Sequence, residues 1–326
     1  MMNKKKSIKP TLIGTSGDTL REAFGKALTE IAKKNKKIVV LDADIAGGTG
    51  AHHFRTAFPN RFFQMGIAEQ NMMSVGAGMA DSGLIPFVTT FAVFCFRAAE
   101  QARLSIAYPS RNVKIIASHP GLDVGPDGAS AQSLEDIAVF RAIPGMTVIS
   151  PADPLEMELA VQAIVNFNGP VYMRTGRSET PRFLNKDHEF EIGKGQILRD
   201  GSDLTIIACG IQTYRALQAA DKLKDCGIDA RVVNMPTIKP IDKGLLDKCS
   251  TETNALLVSE DHNIHGGLYS AVCEHISNSA PCRIDSVCVQ DTFGESGEPD
   301  ELAIKYEISE DAIFNKAKLL FERKSK

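Results

Sequence analysis

The chain has 326 residues, with 37 Lys+Arg against 40 Asp+Glu for a formal net charge of −3, and 43% of it lies in the AVILMFWYC set. That length suggests about two domains of ~150 residues, each with a sizeable core, and the composition excludes collagen-like and disordered chains. The near-neutral charge and the lack of a long basic stripe disfavour nucleic acid or an anionic membrane as the main partner, leaving small molecules and proteins.

Residues 1–14 carry a Lys triplet but lead into no apolar segment of secretory length, so they read as a flexible basic tail rather than a signal peptide. No apolar run approaches the ~20 residues of a membrane helix. Seven Cys, without CxxC or metal-type spacing, point to a reduced, cytoplasmic protein with structural thiols.

From Thr19 onward, helix and strand periods alternate. Thr19 and Glu22 have capping-box spacing ahead of Leu20, Phe24, Leu28 and Ile31, which predicts a helix closing near residue 34. Ile38-Val39-Val40-Leu41 is a short, continuously apolar strand of the kind buried on both faces of a parallel sheet. Further helices are expected near 69–82, 92–107, 133–142 and 154–167, with strands at 85–89, 113–117, 146–149 and 171–174. Such alternation implies right-handed βαβ crossovers and an α/β layer fold.

Residues 181–203 interrupt the rhythm with charges, Gly and Pro. They divide a first domain, 15–182, from a second, 203–326, through a linker at 183–202. The second domain repeats the α/β beat, with strands at 204–208, 230–234, 255–259 and 284–289, helices at 212–226 and 267–278, and a helical tail from about 309. The fold class is therefore α/β, as two successive parallel-sheet domains.

The glycine signatures that would name a chemistry quickly are absent: there is no GxGxxG opening a first helix and no GxxxxGK[ST]. Gly47-Gly48-Thr49-Gly50 lacks the Lys of a phosphate cradle and reads as a flexible loop at the carboxyl end of a strand, the edge where α/β sheets bind ligands. No HExxH or GxSxG occurs, and His52-His53 alone is a weak metal signal.

The sharpest segment is Gly66-Ile67-Ala68-Glu69-Gln70-Asn71, which places Glu69 in the first turn of a helix rich in small residues. A carboxylate there is also explained by the helix dipole alone. A strand follows, then Thr90-Phe91-Ala92-Val93-Phe94-Cys95-Phe96-Arg97-Ala98-Ala99, with Phe91 and Phe94 three apart on one expected helical face. On periodicity alone those two rings are core.

At these residues the chain resembles the carboxyl-terminal half of transketolases, the pyrimidine-binding and C-terminal domains of thiamine-diphosphate enzymes, over about residues 15–320. GIAEQN is shared with deoxyxylulose-phosphate synthases and, more loosely, with β subunits of 2-oxo-acid dehydrogenases; the TF(x2)F(x3)AA run and His119-(x7)-Asp127-Gly128 tilt the match to transketolase. The resemblance implies that Glu69 hydrogen-bonds N1′ of the cofactor aminopyrimidine and favours its imino tautomer. It also implies that Phe91 and Phe94 pack against that ring. Where the family has a further aromatic one turn on, this chain has Arg97, which would stack by its guanidinium or face solvent.

His119 and Asp127 match positions that contact sugar hydroxyls, and a family His four residues after that Asp is here Ala131. Arg21 and Arg177 match arginines that hold a distal phosphate, with Arg174 a competitor for the second place. Asp42 is aligned with a phosphate-contacting Ser, where a carboxylate is repulsive unless it turns away or pairs with Arg21. Ala131 and Asp42 together argue for a substrate other than the standard pentose phosphates, such as one with a sulfonate end.

The family's diphosphate motif, GDG-(~25 residues)-N, finds no counterpart, so the residues that hold Mg²⁺ (or Ca²⁺) and the diphosphate are expected on a separate N-terminal partner subunit. The expected assembly is α₂β₂, with no metal ligand in this chain. Glu260-Asp261-His262-Asn263 and His265-Gly266-Gly267-Leu268-Tyr269 suggest in isolation a polar active-site loop; by resemblance they belong to structure and dimerisation. Two other readings stay open: the β subunit of a 2-oxo-acid dehydrogenase, and a non-catalytic paralogue that kept the fold.

Overall fold

The Thr19 hydroxyl accepts the Glu22 amide at 3.2 Å, and the helix Leu20–Lys34 starts where the capping residues place it. Phe24 and Leu28 of its apolar stripe are fully buried, and Ile31 is partly so. The structure is a computed structural model that describes residues 18–324; the basic tail expected over 1–14 lies outside the described residues.

Seven strands form the first sheet, in the order Thr237–Lys239, Thr147–Ile149, Val171–Thr175, Lys114–Ser118, Ile85–Phe91, Ile38–Asp42, Phe62–Gln64. Every neighbouring pair is parallel except the first. Register opposes Asp42 to Thr89 and to Gln64, Phe91 to Ser118, and Ser118 to Thr175. The carboxyl ends of five strands thus meet along one edge, where open parallel sheets collect ligand-binding loops.

The second sheet runs Arg283–Val289, Ala255–Asn263, Leu204–Ala208, Ala230–Asn234, Gln196–Arg199, parallel except for the last pair. Its outer strand lies inside the segment expected to be a linker. The strand Thr237–Lys239 leaves the second domain's chain to join the edge of the first sheet, so the two sheets are stitched together. One apolar cluster is continuous from Val88, Phe140 and Tyr172 to Ile207, Val233 and Val258. Among the described residues no helix is long and apolar enough to cross a membrane.

The segment 92–107 is not the single helix expected. A four-residue helix, Ala92–Cys95, gives way to 3₁₀ and α turns, and a π-helical turn over Ala102–Ala107 ends it. Ala98, at φ −109° and ψ 15°, breaks the helical ladder while its methyl stays buried. Helices at Lys243–Thr253 and Pro299–Lys305 had no strong periodic signal; the first opens on Asp242, whose carboxylate accepts the Leu245 amide at 3.0 Å.

Candidate active site

Phe91 is the last residue of its strand, with extended backbone at φ −76° and ψ 149°, and Phe94 sits in the short helix that follows. The two rings meet across this strand-to-helix corner rather than along one helical face, with centroids 5.5 Å apart and planes 11° apart. The His119 imidazole also stacks on Phe91, with centroids 3.7 Å apart. Both phenyl rings are only partly buried, so the core role read from periodicity does not hold. Gly48, expected in a flexible loop, lies in the short helix Ala46–Thr49 beside this stack, where a Cβ would come within 2.7 Å of the Phe91 ring. No larger residue fits without moving that ring.

Glu69 opens the helix Glu69–Asp81 and is 1% exposed. Its Oε2 accepts Arg97 Nη1 at 3.0 Å. Arg97 therefore neither stacks nor simply faces solvent: its stem is half in water while its head neutralises a buried carboxylate.

Asp42 points inward and is fully buried. Its carboxylate accepts the hydroxyls of Thr89 at 2.6 Å and Thr49 at 3.2 Å, and the Ile45 amide at 2.8 Å. Burial pushes its pKa up against those hydrogen bonds. The group beside Arg21 is instead the Gly48 carbonyl, 3.5 Å from Arg21 Nη1. Asp42 ties its strand to the next and leaves the anion to others, which removes the Asp42 half of the argument for a non-standard anionic end.

His119 has a left-handed backbone, φ 60°, which a non-glycine residue holds only when its surroundings require it. Its Nδ1 is 2.8 Å from Ser118 Oγ, which donates to the Gly48 carbonyl at 2.9 Å. With the hydroxyl proton spent on Gly48, the imidazole proton sits on Nδ1, and Nε2 carries a lone pair. Burial, reinforced by Arg21 and Arg177, lowers the His119 pKa to about 3. The imidazole is neutral, an acceptor for a hydroxyl proton.

Arg177 is half-buried, and its Nη2 lies 3.8 Å from the exposed Asp127 carboxylate. Arg21 feels the positive charge of Arg177, which together with the larger effect of burial lowers its pKa; its Nε is shielded and without a partner among the described residues. Two mutually repelling cations, one 3.8 Å from an exposed carboxylate and the other with an unpartnered Nε, offer a place for an anion. Arg174 does not compete for that role. Its guanidinium is engaged by both oxygens of Asp136, which also accepts the Tyr172 hydroxyl at 2.7 Å, and its Nη1 donates to the Asp261 carbonyl at 3.0 Å. Burial alone would raise the Asp136 carboxyl, but Arg174 outweighs it and holds the pKa below the usual range. Ala131 is buried.

Glu260, Asp261, His262 and Asn263 are not a loop. They end the buried strand Ala255–Asn263. Glu260 accepts the amides of Leu268 and Tyr269, so the start of the helix Leu268–Ser279 already holds a carboxylate where an incoming anion was conceivable. His262 Nε2 accepts the Ala138 amide at 3.3 Å, from the other domain.

Two family models cover most of the chain: the transketolase pyrimidine binding domain over residues 17–182 and the transketolase C-terminal domain over 193–313. The chain belongs to the transketolase family. A protein of Methanocaldococcus jannaschii described as a transketolase C-terminal section is 44% identical over 311 residues, covering 94% of this chain and 96% of that one. The 6-deoxy-6-sulfo-D-fructose transketolase subunit SqwH of Clostridium sp. (strain MSTE9) is 38% identical over 94% of this chain and 95% of its own. A solved split-gene transketolase, an inactive β₄ tetramer, superposes with a TM-score of 0.89 at 46% identity, over 94% of this chain and all of the other.

Transketolases depend on thiamine diphosphate, and the residues present fit its pyrimidine half: a buried carboxylate at Glu69 and a pair of half-exposed stacked phenyl rings at the same sheet edge. They do not fit its metal. Among the described residues, the grouping with metal-ligand spacing is Glu22, His52 and His53, a nitrogen-rich set rather than the oxygen cage of a hard cation. Sequence reading missed Ser118 and Asp123, and named Gly48 and Asp261 without their contacts. Asp123 lies between His119 and Asp127, so its position held a signal; the partners of Asp261 had none, since they lie 138 and 139 residues away.

Proposed function

We propose that this chain is the smaller subunit of a split transketolase that moves a two-carbon ketol unit from a ketose to an aldose. The observation that carries the reading is the buried Glu69 carboxylate at the ligand edge of the first sheet, which also holds the Phe91, Phe94 and His119 stack and the Arg21–Arg177 pair. When bound, thiamine diphosphate supplies the nucleophilic thiazolium carbon that carries the transferred unit. Glu69 shares a proton with the aminopyrimidine N1′, and Phe91 and Phe94 set the plane of that ring. His119 Nε2 and Asp127 accept sugar hydroxyls, and Arg21 and Arg177 hold the anionic end, a phosphate or a sulfonate.

The diphosphate and its Mg²⁺ or Ca²⁺ fall to an N-terminal partner subunit, in an α₂β₂ assembly with cofactors at subunit interfaces. Seven unpaired thiols agree with a cytoplasmic setting. Names of relatives such as the sulfofructose transketolase subunit support the split and widen the choice of donor. The test is ketol transfer by the purified chain with and without the partner. The chain alone is expected to be inactive and the mixture active; robust transfer by the chain alone would end the proposal of a split enzyme. Kinetics on xylulose 5-phosphate and 6-deoxy-6-sulfofructose then assign the anionic end.

A further inference from the structure

The substrate-side segment between His119 and Asp127 is built against the second domain, where one carboxylate holds two of its backbone amides. Asp261, at the end of the strand Ala255–Asn263, is 7% exposed. Its Oδ1 accepts the Leu122 amide at 2.9 Å and its Oδ2 the Asp123 amide at 3.1 Å. Gly121, at φ 73°, makes this approach possible: a Cβ there would lie 2.2 Å from Asp261 Oδ2. Asp123 passes the constraint on, since its Oδ2 accepts the amides of Arg177 and Ser178, both at 3.1 Å, and its carbonyl accepts the Ser178 hydroxyl at 2.9 Å. Asp261 is fixed from behind, its own carbonyl held by Arg174. Further along the same segment, Gly128 packs against Ser296, and Gln132 donates to the Glu295 carbonyl at 2.9 Å.

We infer that Asp261, on the second domain, is a positioning residue for sugar binding: it sets the 119–128 segment and, through Asp123, the backbone of Arg177. This rests on the sugar-site reading given above and goes beyond it by giving the second domain a part in substrate affinity. The chemistry requires a carboxylate. Two backbone N–H groups converge on two acceptor oxygens, and an amide offers only one, so an Asn would turn its NH₂ toward one of the donors. Leaving a buried N–H unpaired beside the segment loosens the anionic-end and hydroxyl contacts together, while Glu69 and Phe94 lie in helices that make none of these hydrogen bonds.

The experiment uses the assembled two-subunit enzyme with Asp261→Asn and, as a second variant that leaves the second domain intact, Gly121→Ala. Both are expected to raise KM for the ketose about tenfold, with kcat at saturating sugar within about threefold and the thiamine diphosphate Kd within about twofold of wild type. An unchanged KM overturns the inference. So does a parallel loss of cofactor affinity, which would mark general destabilisation. Hydrogen exchange on the wild-type chain is a separate arm: the Leu122 and Asp123 amides are expected to be protected, and rapid exchange overturns the inference even where a variant fails to fold. If the wild-type assembly transfers no ketol unit, the functional reading falls, and with it the sugar-binding role of Asp261, whatever the amides show. If wild type is active and Glu69→Gln is not, a normal KM in both variants removes Asp261 alone.

Discussion

Arg97 stands where the family has an aromatic residue, and Arg97→Phe separates its two possible effects on the cofactor. Arg97 Nη1 holds Glu69 Oε2 at 3.0 Å, with the Glu69 side chain 2% exposed and that of Arg97 57% exposed. A fully exposed pair contributes about 0–1 kcal/mol, whereas a hydrogen bond to a charged group contributes about 1.5–3. With one partner buried and one in water, we take ~1–2 kcal/mol. Seating an aminopyrimidine on Glu69 draws on the same carboxylate, so the loss of this pair opposes binding. Phe in its place removes that opposition and adds a ring contact of about 1 kcal/mol. The sum, ~2–3 kcal/mol, is an increase of tens of fold in thiamine diphosphate affinity. Titration calorimetry of the assembled enzyme checks it, alongside a melting curve of the cofactor-free chain, which is expected to be lower because Glu69 is left buried and unpaired. An affinity equal to or weaker than wild type would show that Arg97 stays on Glu69, or itself holds the cofactor, in the bound state.

Glu69→Gln is expected to lower turnover by ~10²–10⁴; a wild-type rate of hydrogen–deuterium exchange at the thiazolium C2 in that variant would contradict the assignment. The two arginines are expected to separate by phenotype. Arg177→Met should raise KM for anionic ketoses without changing the melting temperature, whereas Arg174→Met leaves Asp136 buried and unpaired and should cost about 3–5 kcal/mol of stability, measured by denaturant unfolding. For His119, the folded pKa of about 3 lies below the 6.5 of a free imidazole, so between those values the unfolded chain binds the extra proton and stability falls as pH falls. His119→Asn should remove up to about 1.4 kcal/mol per pH unit from the slope of stability against pH in that window; an unchanged slope would mean the imidazole is not held neutral.

Local chemistry was legible because it acts over a few residues. The Thr19 cap, the apolar strand at 38–42 and the alternation that defines both sheets follow from hydrogen-bond reach and side-chain period. The helix expected over 92–107 failed because small residues such as Ala98 and Ala102 satisfy a helical pattern and equally well the tight packing of a broken one. Phe91 and Phe94 were found as a pair, but their exposure was not, since periodicity records spacing and not what lies opposite.

By its residues alone, the chain determined two α/β domains, a carboxylate at the head of a helix and a pair of rings three positions apart after a strand. Which way each charge faces was decided only by the fold. Asp42 turned inward because three donors, from the neighbouring strand and from the short helix Ala46–Thr49 and the residue before it, converge on it, and Arg174 was claimed by Asp136 and Asp261. Arg97 found Glu69 across 28 residues, and Asp261 found Leu122 across 139. Electrostatic and hydrogen-bond partners are set by distance in space, and a strand order that crosses between domains places side by side groups that no spacing along the chain connects.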